Sequence, residues 1–185
     1  MEIYLIRHTT PDVPKGVCYG QSDLDVTDTF HQEASRIKAL LPASIQHVHC
    51  SPLQRCRKLA ELLFPQTAVQ FHDGLKEMNF GSWELKKWDE IAGTEMQQWM
   101  EDFVNVSTPH GENYVQLYER SVKLFDQLIQ PAPVAIVTHG GVIRSILSYI
   151  TNTPLKDSFP AFPLQYGCVV KITKEDTQYK YKMIP

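Results

Sequence analysis

Short apolar runs and amphipathic stretches alternate along this chain. The runs have the length and bounding polar residues of buried strands. Strands that alternate with helices favour a mainly parallel open sheet with helices on both faces, so we predict a three-layer α/β/α fold. The predicted strands are 2–7, 47–51, 69–71, 134–138, 165–171 and 178–184.

Amphipathic segments between these runs predict the helices. Thr27 is the expected cap of the first helix, and Ser51 with Pro52 is the expected start of the second. We predict two further helices from apolar positions at helical spacing: Tyr114, Tyr118, Val122, Phe125 and Ile129, then Val142, Ile143, Ile146, Leu147 and Ile150.

A helical insertion is expected around 84–110. Its helix, near 88–103, carries an aromatic stripe that either packs as core or lines a pocket for an apolar base. Both interpretations stay open. The stripe consists of Trp88, Met96, Trp99, Met100 and Phe103.

Length and charge restrict the class of protein. The 185 residues predict one domain over 1–185, and 43% hydrophobic with 21% charged residues is ordinary for a globular protein. A formal net charge of -3 argues against a nucleic-acid partner or an anionic membrane surface. No apolar run approaches the roughly 20 residues of a membrane span, and the chain enters its first strand at once, so we expect a cytoplasmic protein.

The cysteines and one pair of histidines are the candidate metal ligands in the sequence. The four cysteines lack zinc-site spacing, so we expect free, mostly buried thiols. His47 and His49 alternate onto one strand face, where they could hold a metal, but with no third ligand nearby an edge-strand position is favoured. We therefore predict no metal.

Two strands end at a histidine. Arg7-His8 follows the first strand, and His139 follows the fourth, where Gly140 opens a helix whose free N–H groups favour anions. Because ligands bind at the carboxyl ends of strands in open α/β sheets, we expect an anion site with imidazole chemistry. Arg55 and Glu77 lie near the ends of the second and third strands and are further candidates.

Five motifs in order resemble those of the histidine phosphatase superfamily, whose fold is called phosphoglycerate mutase-like. They extend over most of the chain, from about Ile3 to Arg144. The motifs are Arg7-His8-Thr9, Ser51-Pro52-Leu53-Gln54-Arg55-Cys56, Leu75-Lys76-Glu77 with the residues to Glu84, Gly111-Glu112, and Thr138-His139-Gly140-Gly141.

The resemblance implies a role for each candidate. His8 is the implied nucleophile that becomes phosphohistidine, and Glu77 is the implied general acid and base. Arg7, Arg55 and a protonated His139 would surround the phosphate oxygens, so that no metal or other cofactor is needed. Glu84 and Glu112 compete with Glu77 for the acid role. The expected substrate-binding residues are Thr9, Tyr19, Gly20, Gln21 and Gly140.

Within the superfamily, three segments resemble the α-ribazole phosphatases: Cys18-Tyr19-Gly20-Gln21-Ser22-Asp23, 53–60 and 77–84. The implied reaction is removal of the 5′-phosphate of α-ribazole phosphate in assembly of the cobalamin nucleotide loop. Thr9, Leu85 and His110 depart from this similarity because relatives often carry glycine there.

Other functions stay open. They are a broad-specificity phosphatase, a phosphoglycerate mutase, a phosphatase of protein phosphohistidine and a non-catalytic phosphate-binding regulator. The expected ligand is a small-molecule phosphate ester, and a homodimer is a possible assembly.

Overall fold

A computed structural model of the chain describes residues 1–91 and 93–184. Its strands form one six-stranded sheet in the order β3-β2-β4-β1-β5-β6. Strands β1 to β4 are mutually parallel, whereas β5 and β6 run antiparallel at one side. The strands are β1 (Glu2–Arg7), β2 (His47–Cys50), β3 (Val69–Phe71), β4 (Val134–Thr138), β5 (Val169–Glu175) and β6 (Gln178–Ile184).

Helices cover both faces of the sheet, so the predicted three-layer, mainly parallel fold is confirmed. Alternate residues of β1 enter different cores: Ile3 and Leu5 pack with one cluster, and Tyr4 and Ile6 with the other. The helices are α1 (Phe30–Leu40), α2 (Gln54–Leu63), α3 (Thr94–Glu101), α4 (Tyr114–Leu128), α5 (Gly140–Thr151) and α6 (Ser158–Ala161). The first cluster includes residues of α4 and α5, and the second includes residues of α1 and α2.

The predicted starts of the first two helices are wrong. Helix α1 begins at Phe30 after Thr29, and α2 begins at Gln54 after Leu53. Neither of these N-cap residues makes a side-chain cap. The Thr27 hydroxyl donates to the Thr10 carbonyl (3.4 Å) instead. The Ser51 hydroxyl lies 2.8 Å from Nε2 of His139 and accepts only a long bond from the Leu53 amide (3.4 Å).

Strand β5 begins four residues later than predicted. The segment before it turns: Gly167 has φ +69°, and the amide of Cys168 donates to the Gln165 carbonyl (3.3 Å). The Gly167 amide also donates to the His8 carbonyl (3.0 Å), which ties the turn to the end of β1. The apolar pattern alone could not distinguish this turn from strand.

The edge-strand position of His47 and His49 is also wrong, since β2 lies between β3 and β4. His49 is buried, and its Nδ1 lies 3.0 Å from Nε2 of His72. Among residues 1–91 and 93–184, no group of three or more His, Cys, Asp or Glu is arranged to hold a metal ion. All four cysteines are free and three are buried, as predicted.

The segment 84–110 combines a 3-10 turn (Trp88–Glu90) with α3. Trp88, Met96 and Trp99 pack against a small cluster around Trp83, whereas Met100 is 67% exposed, contrary to its expected place in the stripe. Across the described ranges, no helix has the length and apolar character needed to cross a membrane.

Candidate active site

The parallel pairing of β1 and β4 brings the two strand-end histidines together. Arg7 is in register with Thr138, so His8 and His139 leave the sheet side by side. Their ring centroids are 5.1 Å apart, and both side chains are buried. The structure therefore brings together the residues that the sequence placed at one sheet edge.

His8 has a defined tautomer. Its Nδ1–H donates to the carbonyl oxygen of Thr9 (2.7 Å), since a carbonyl can only accept. Nε2 consequently carries a lone pair, and Nε of Arg55 donates toward it at 3.4 Å. Burial, followed by the charges of Arg55 and Arg7, holds the pKa of His8 well below its usual value. The ring is therefore neutral at neutral pH, with the lone pair on Nε2.

Arg55 is a fully buried cation held by neutral groups. Its Nη1 and Nη2 donate to the carbonyls of Ser22 (2.9 Å) and Gly20 (2.6 Å). Within the part of the chain described, it forms no ion pair. A buried guanidinium without a carboxylate partner leaves its charge available to an anion.

Arg7 is held in a similar way. Its Nη1 donates to the Leu164 carbonyl (2.8 Å), and its Cζ lies 4.1 Å from the ring centroid of Tyr166. Its Nε is buried and has no hydrogen-bond partner among residues 1–91 and 93–184. Thr9 Oγ1, next to His8, is also buried and unpartnered. Two unsatisfied donors beside one histidine are suited to the oxygens of a bound phosphate.

His139 precedes the first residue of α5, Gly140. Its Nε2 lies 2.8 Å from Oγ of Ser51. Burial lowers its pKa well below the usual value, and the charges of Arg55 and other nearby cations lower it further. The ring is neutral while the site is empty, and a bound phosphate dianion would favour its protonation.

Glu77 is the carboxylate at the site. Its Oε2 accepts from the Gly141 amide (3.0 Å) and its Oε1 from the Met78 amide (3.0 Å), and it lines a cavity with Arg7 and His8. Arg120 Nη2 fixes its backbone by donating to its carbonyl (2.8 Å).

The competing carboxylates hold loops together instead. Glu84 accepts from the amides of Gly20 (3.0 Å), Gln21 (2.9 Å) and Ser22 (3.1 Å). Glu112 pairs with Arg120 (2.8 Å). Neither lines the cavity.

The expected substrate-binding loop has two kinds of residue. Tyr19 lines the cavity, and its hydroxyl meets that of Tyr166, whose ring lies 5.5 Å from that of His8. Gly20 and Gln21 instead support the loop: Gln21 Nε2 donates to the Glu77 carbonyl (3.0 Å). A Cβ on Gly20 would lie 1.8 Å from the Met78 carbonyl oxygen, so only glycine fits.

The cavity has a volume of about 490 Å³ and extends from His8 to the 84–110 segment. Trp88, Trp99 and Phe103 line it, so this part of the aromatic stripe faces a pocket. Three residues of the site were not predicted from the sequence. They are Ser51, which contacts His139, and Tyr166 and Arg144. Arg144 lies one helical turn after Gly140 on α5, and that spacing could have indicated it.

Comparison with known proteins assigns the family. The sequence profile of the histidine phosphatase superfamily (branch 1) matches residues 3–184, and the chain belongs to this superfamily.

The relatives include several phosphatases. The chain is 25% identical to the adenosylcobalamin/α-ribazole phosphatase of Escherichia coli, over 91% of this chain and 87% of that one. It is 29% identical to a metal-independent phosphoserine phosphatase of Arabidopsis thaliana, over 82% and 69%. The crystal structure of the α-ribazole phosphatase from Shigella flexneri superposes with a TM-score of 0.92 at 23% identity, covering 100% and 96% of the two chains, which supports the fold.

Proposed function

We propose that this phosphatase hydrolyses phosphate monoesters through a phosphohistidine formed on His8. The observation that carries the proposal is the orientation of His8: Thr9 fixes its Nδ1–H, so that the Nε2 lone pair faces the buried guanidinium of Arg55. A phosphate placed there would meet a neutral nucleophile and unpaired cations in one buried pocket.

The chemistry takes two steps. His8 Nε2 attacks phosphorus, the ester P–O bond breaks, and Glu77 gives its proton to the leaving alkoxide. A water molecule then attacks the phosphohistidine and gives a proton to Glu77, which breaks the P–N bond and releases phosphate. Arg7, Arg55 and His139, protonated once phosphate is bound, stabilise the charge that spreads over the phosphoryl oxygens in both steps. Thr9 Oγ1 and the amide of Gly140 are the expected further donors.

The proposed substrate is α-ribazole 5′-phosphate. An aromatic-walled cavity next to His8 is suited to the flat apolar base of such a nucleotide. The name of the Escherichia coli relative points to the same chemistry, at 25% identity. A broad-specificity phosphatase and a phosphoglycerate mutase use the same nucleophile and are the alternatives, and a regulator would bind phosphate without turnover.

The test is steady-state phosphate release by wild type and His8→Ala, with chelator present. The panel is α-ribazole 5′-phosphate, 3-phosphoglycerate and simple nucleotides. We expect preferred, chelator-resistant turnover of α-ribazole 5′-phosphate that His8→Ala abolishes. Release from other esters alone would discard the cobalamin assignment and keep the mechanism. No release by folded protein would favour the regulator.

Acid-quenched protein gives an independent test of the intermediate. With ³²P-labelled substrate, we expect an acid-labile, base-stable label that is absent from His8→Ala. Isomerisation of 3-phosphoglycerate to 2-phosphoglycerate would favour the mutase.

The single domain, the cytoplasmic location and a homodimer stay predictions.

A further inference from the structure

The indole N–H of Trp99 is buried in the wall of the cavity. Trp99 belongs to α3 and lines the same cavity as His8 and Glu77. Its Nε1 atom is buried, and no group in the described part of the chain accepts a hydrogen bond from it. Because buried N–H groups of folded proteins are nearly always hydrogen-bonded, this one needs an acceptor from outside the chain. A molecule bound in the cavity can supply that acceptor.

The tyrosine hydroxyls on the same wall are already paired. The hydroxyl of Tyr114 lies 3.0 Å from that of Ser158, and the hydroxyl of Tyr19 contacts that of Tyr166. Both tyrosines line the cavity. Over the described ranges, Nε1 of Trp99 is therefore the buried donor of the aromatic wall that is left for a ligand.

Four neighbouring aromatic rings fix the orientation of this indole. The ring of Trp99 stacks on that of Trp88, with centroids 5.9 Å apart and 21° between the ring planes. Trp83 meets it edge to face at 5.6 Å. Phe103 and Phe80 pack against it at 6.1 Å and 6.3 Å. A ring enclosed in this way cannot turn freely, so its N–H can select a ligand atom by position.

The surrounding surface defines the kind of group that can supply the acceptor. Phe80, Phe103 and Trp88 line the cavity together with Trp99, so a flat apolar ring would be stabilised by stacking and burial there. Such a ring can accept a hydrogen bond from a neighbour through an atom in its own plane, either a ring nitrogen or a carbonyl oxygen.

We propose that Nε1–H of Trp99 donates a hydrogen bond to an acceptor in the plane of a neutral heteroaromatic ring on the leaving group. The proposal rests on the proposed phosphomonoesterase and narrows its substrate class to esters that carry such a ring. A benzimidazole joined to a sugar through one nitrogen, as in α-ribazole, keeps its other nitrogen free for this bond. Trp99 is thus a specificity-determining residue and takes no part in bond breaking.

The test uses ester pairs that differ in one atom, a ring nitrogen replaced by C–H. The first pair is α-ribazole 5′-phosphate and its 5,6-dimethylindole analogue. The second pair is 2-(benzimidazol-1-yl)ethyl phosphate and 2-(indol-1-yl)ethyl phosphate. At pH 8, where the benzimidazole is neutral, we expect kcat/KM to be about 10-fold higher for the nitrogen ester of at least one pair, the size of one hydrogen bond. Since the contact lies away from phosphorus, the difference should fall on KM and leave kcat nearly equal.

A matched pair of variants assigns the preference to one N–H group. Trp99→Phe keeps an aromatic ring without the donor and should reduce the ratio to about 2-fold or less. Trp88→Phe removes an indole from the same wall and should lower kcat/KM for both esters of a pair alike, with the ratio retained. If Trp99→Phe does not fold, 3-benzothienylalanine at position 99 replaces the N–H by sulfur in a ring of the same size, and the same loss is expected.

The proposal is overturned if wild type has no preference in either pair, or if the preference survives the loss of the Trp99 N–H. It is also overturned if Trp88→Phe removes the preference as completely as Trp99→Phe, because packing would then be the cause. If the protein hydrolyses no phosphate ester, the proposed function fails, and dissociation constants of the same esters replace kcat/KM. A binding preference for the nitrogen ester that Trp99→Phe removes would then support the role of Trp99 by itself, and equal binding would overturn it.

Discussion

The Nε2 atom of His139 lies 2.8 Å from the hydroxyl of Ser51, so the second histidine is oriented by a residue from the end of β2. A hydroxyl can donate to a neutral imidazole and accept from a protonated one. Ser51 can therefore remain hydrogen-bonded to His139 in both protonation states. The bond would persist when phosphate binds and His139 becomes protonated.

Ser51→Ala should lower kcat/KM about 10-fold, because protonated His139 loses its acceptor. The inhibition constant of inorganic phosphate should rise more at pH 8 than at pH 6, since the variant needs a lower pH to protonate His139. The pH profile of phosphate inhibition measures this. Ser121→Ala, at a buried hydroxyl on α4 without a partner, is the matched control. An equal effect at both pH values would contradict the role of Ser51.

Substitutions of Glu77 and Glu84 should differ in how their effect depends on the substrate. Glu77→Gln should reduce kcat by 10²-fold or more, on the order expected for general acid catalysis, with alkyl esters and much less with 4-nitrophenyl phosphate. The nitrophenolate leaves without help from an acid. Glu84→Gln weakens the contacts to Gly20, Gln21 and Ser22 and should affect both esters alike. Steady-state rates on the two esters decide between them, and the reverse pattern would make Glu84 the acid.

Buried neutral histidines predict destabilisation in acid. The folded pKa values of His8 and His139 lie well below 6.5, and burial lowers that of His49 to about 4. Below pH 6.5 the unfolded chain binds protons that the folded chain does not. Stability is therefore complete above that pH and falls below it, by roughly 1.4 kcal/mol per pH unit for each histidine.

Urea unfolding in phosphate-free buffer between pH 7 and pH 5 measures this slope. His139→Gln should reduce it by about one histidine's contribution. A slope that the substitution leaves unchanged would mean that His139 is not a neutral group in the folded protein.

Leu85 has φ +64° and is 59% exposed. A left-handed conformation costs a side chain roughly 1–2 kcal/mol, while glycine loses about 0.5–1 kcal/mol more chain entropy on folding. Leu85→Gly should therefore be about 0.5–1 kcal/mol more stable than Leu85→Ala, which truncates the side chain without relieving the backbone. Urea unfolding of both variants tests this, and greater stability of the alanine variant would contradict it.

His110 has the same backbone conformation, with φ +58°. This chain keeps the left-handed turns at both positions without the residue that adopts them most easily.

The sequence predicted the parts of the fold that depend on local pattern. Strands β1, β3, β4 and β6 have the predicted bounds, because each is an apolar or alternating run closed by polar or turn residues. The meeting of His8 and His139 also followed from sequence, since parallel strands share one carboxyl edge.

Features that depend on distant contacts could not be predicted. The sequence pattern indicates Ser51 as a helix cap, but its shorter contact (2.8 Å) is with His139, 88 residues away. The sequence pattern predicts strand at Tyr166, but the segment turns there and the Gly167 amide ties the turn to the His8 carbonyl. Arg144 resembled an ordinary polar position on an amphipathic helix. Only the structure shows that Arg144 lines the same cavity as Trp88 and Trp99 of the 84–110 segment.

The position of β1 has a consequence for biosynthesis. This first strand pairs on one side with β4 and on the other with β5, whose partner residues run from Val169 to Thr173. A nascent chain that has emerged only as far as β4 leaves one edge of β1 unpaired, and the turn that holds Tyr166 beside His8 is also missing. On the ribosome, the surroundings of His8 are therefore complete only after the chain has emerged beyond β5. Partial translation products should be catalytically silent and prone to pair through that open edge.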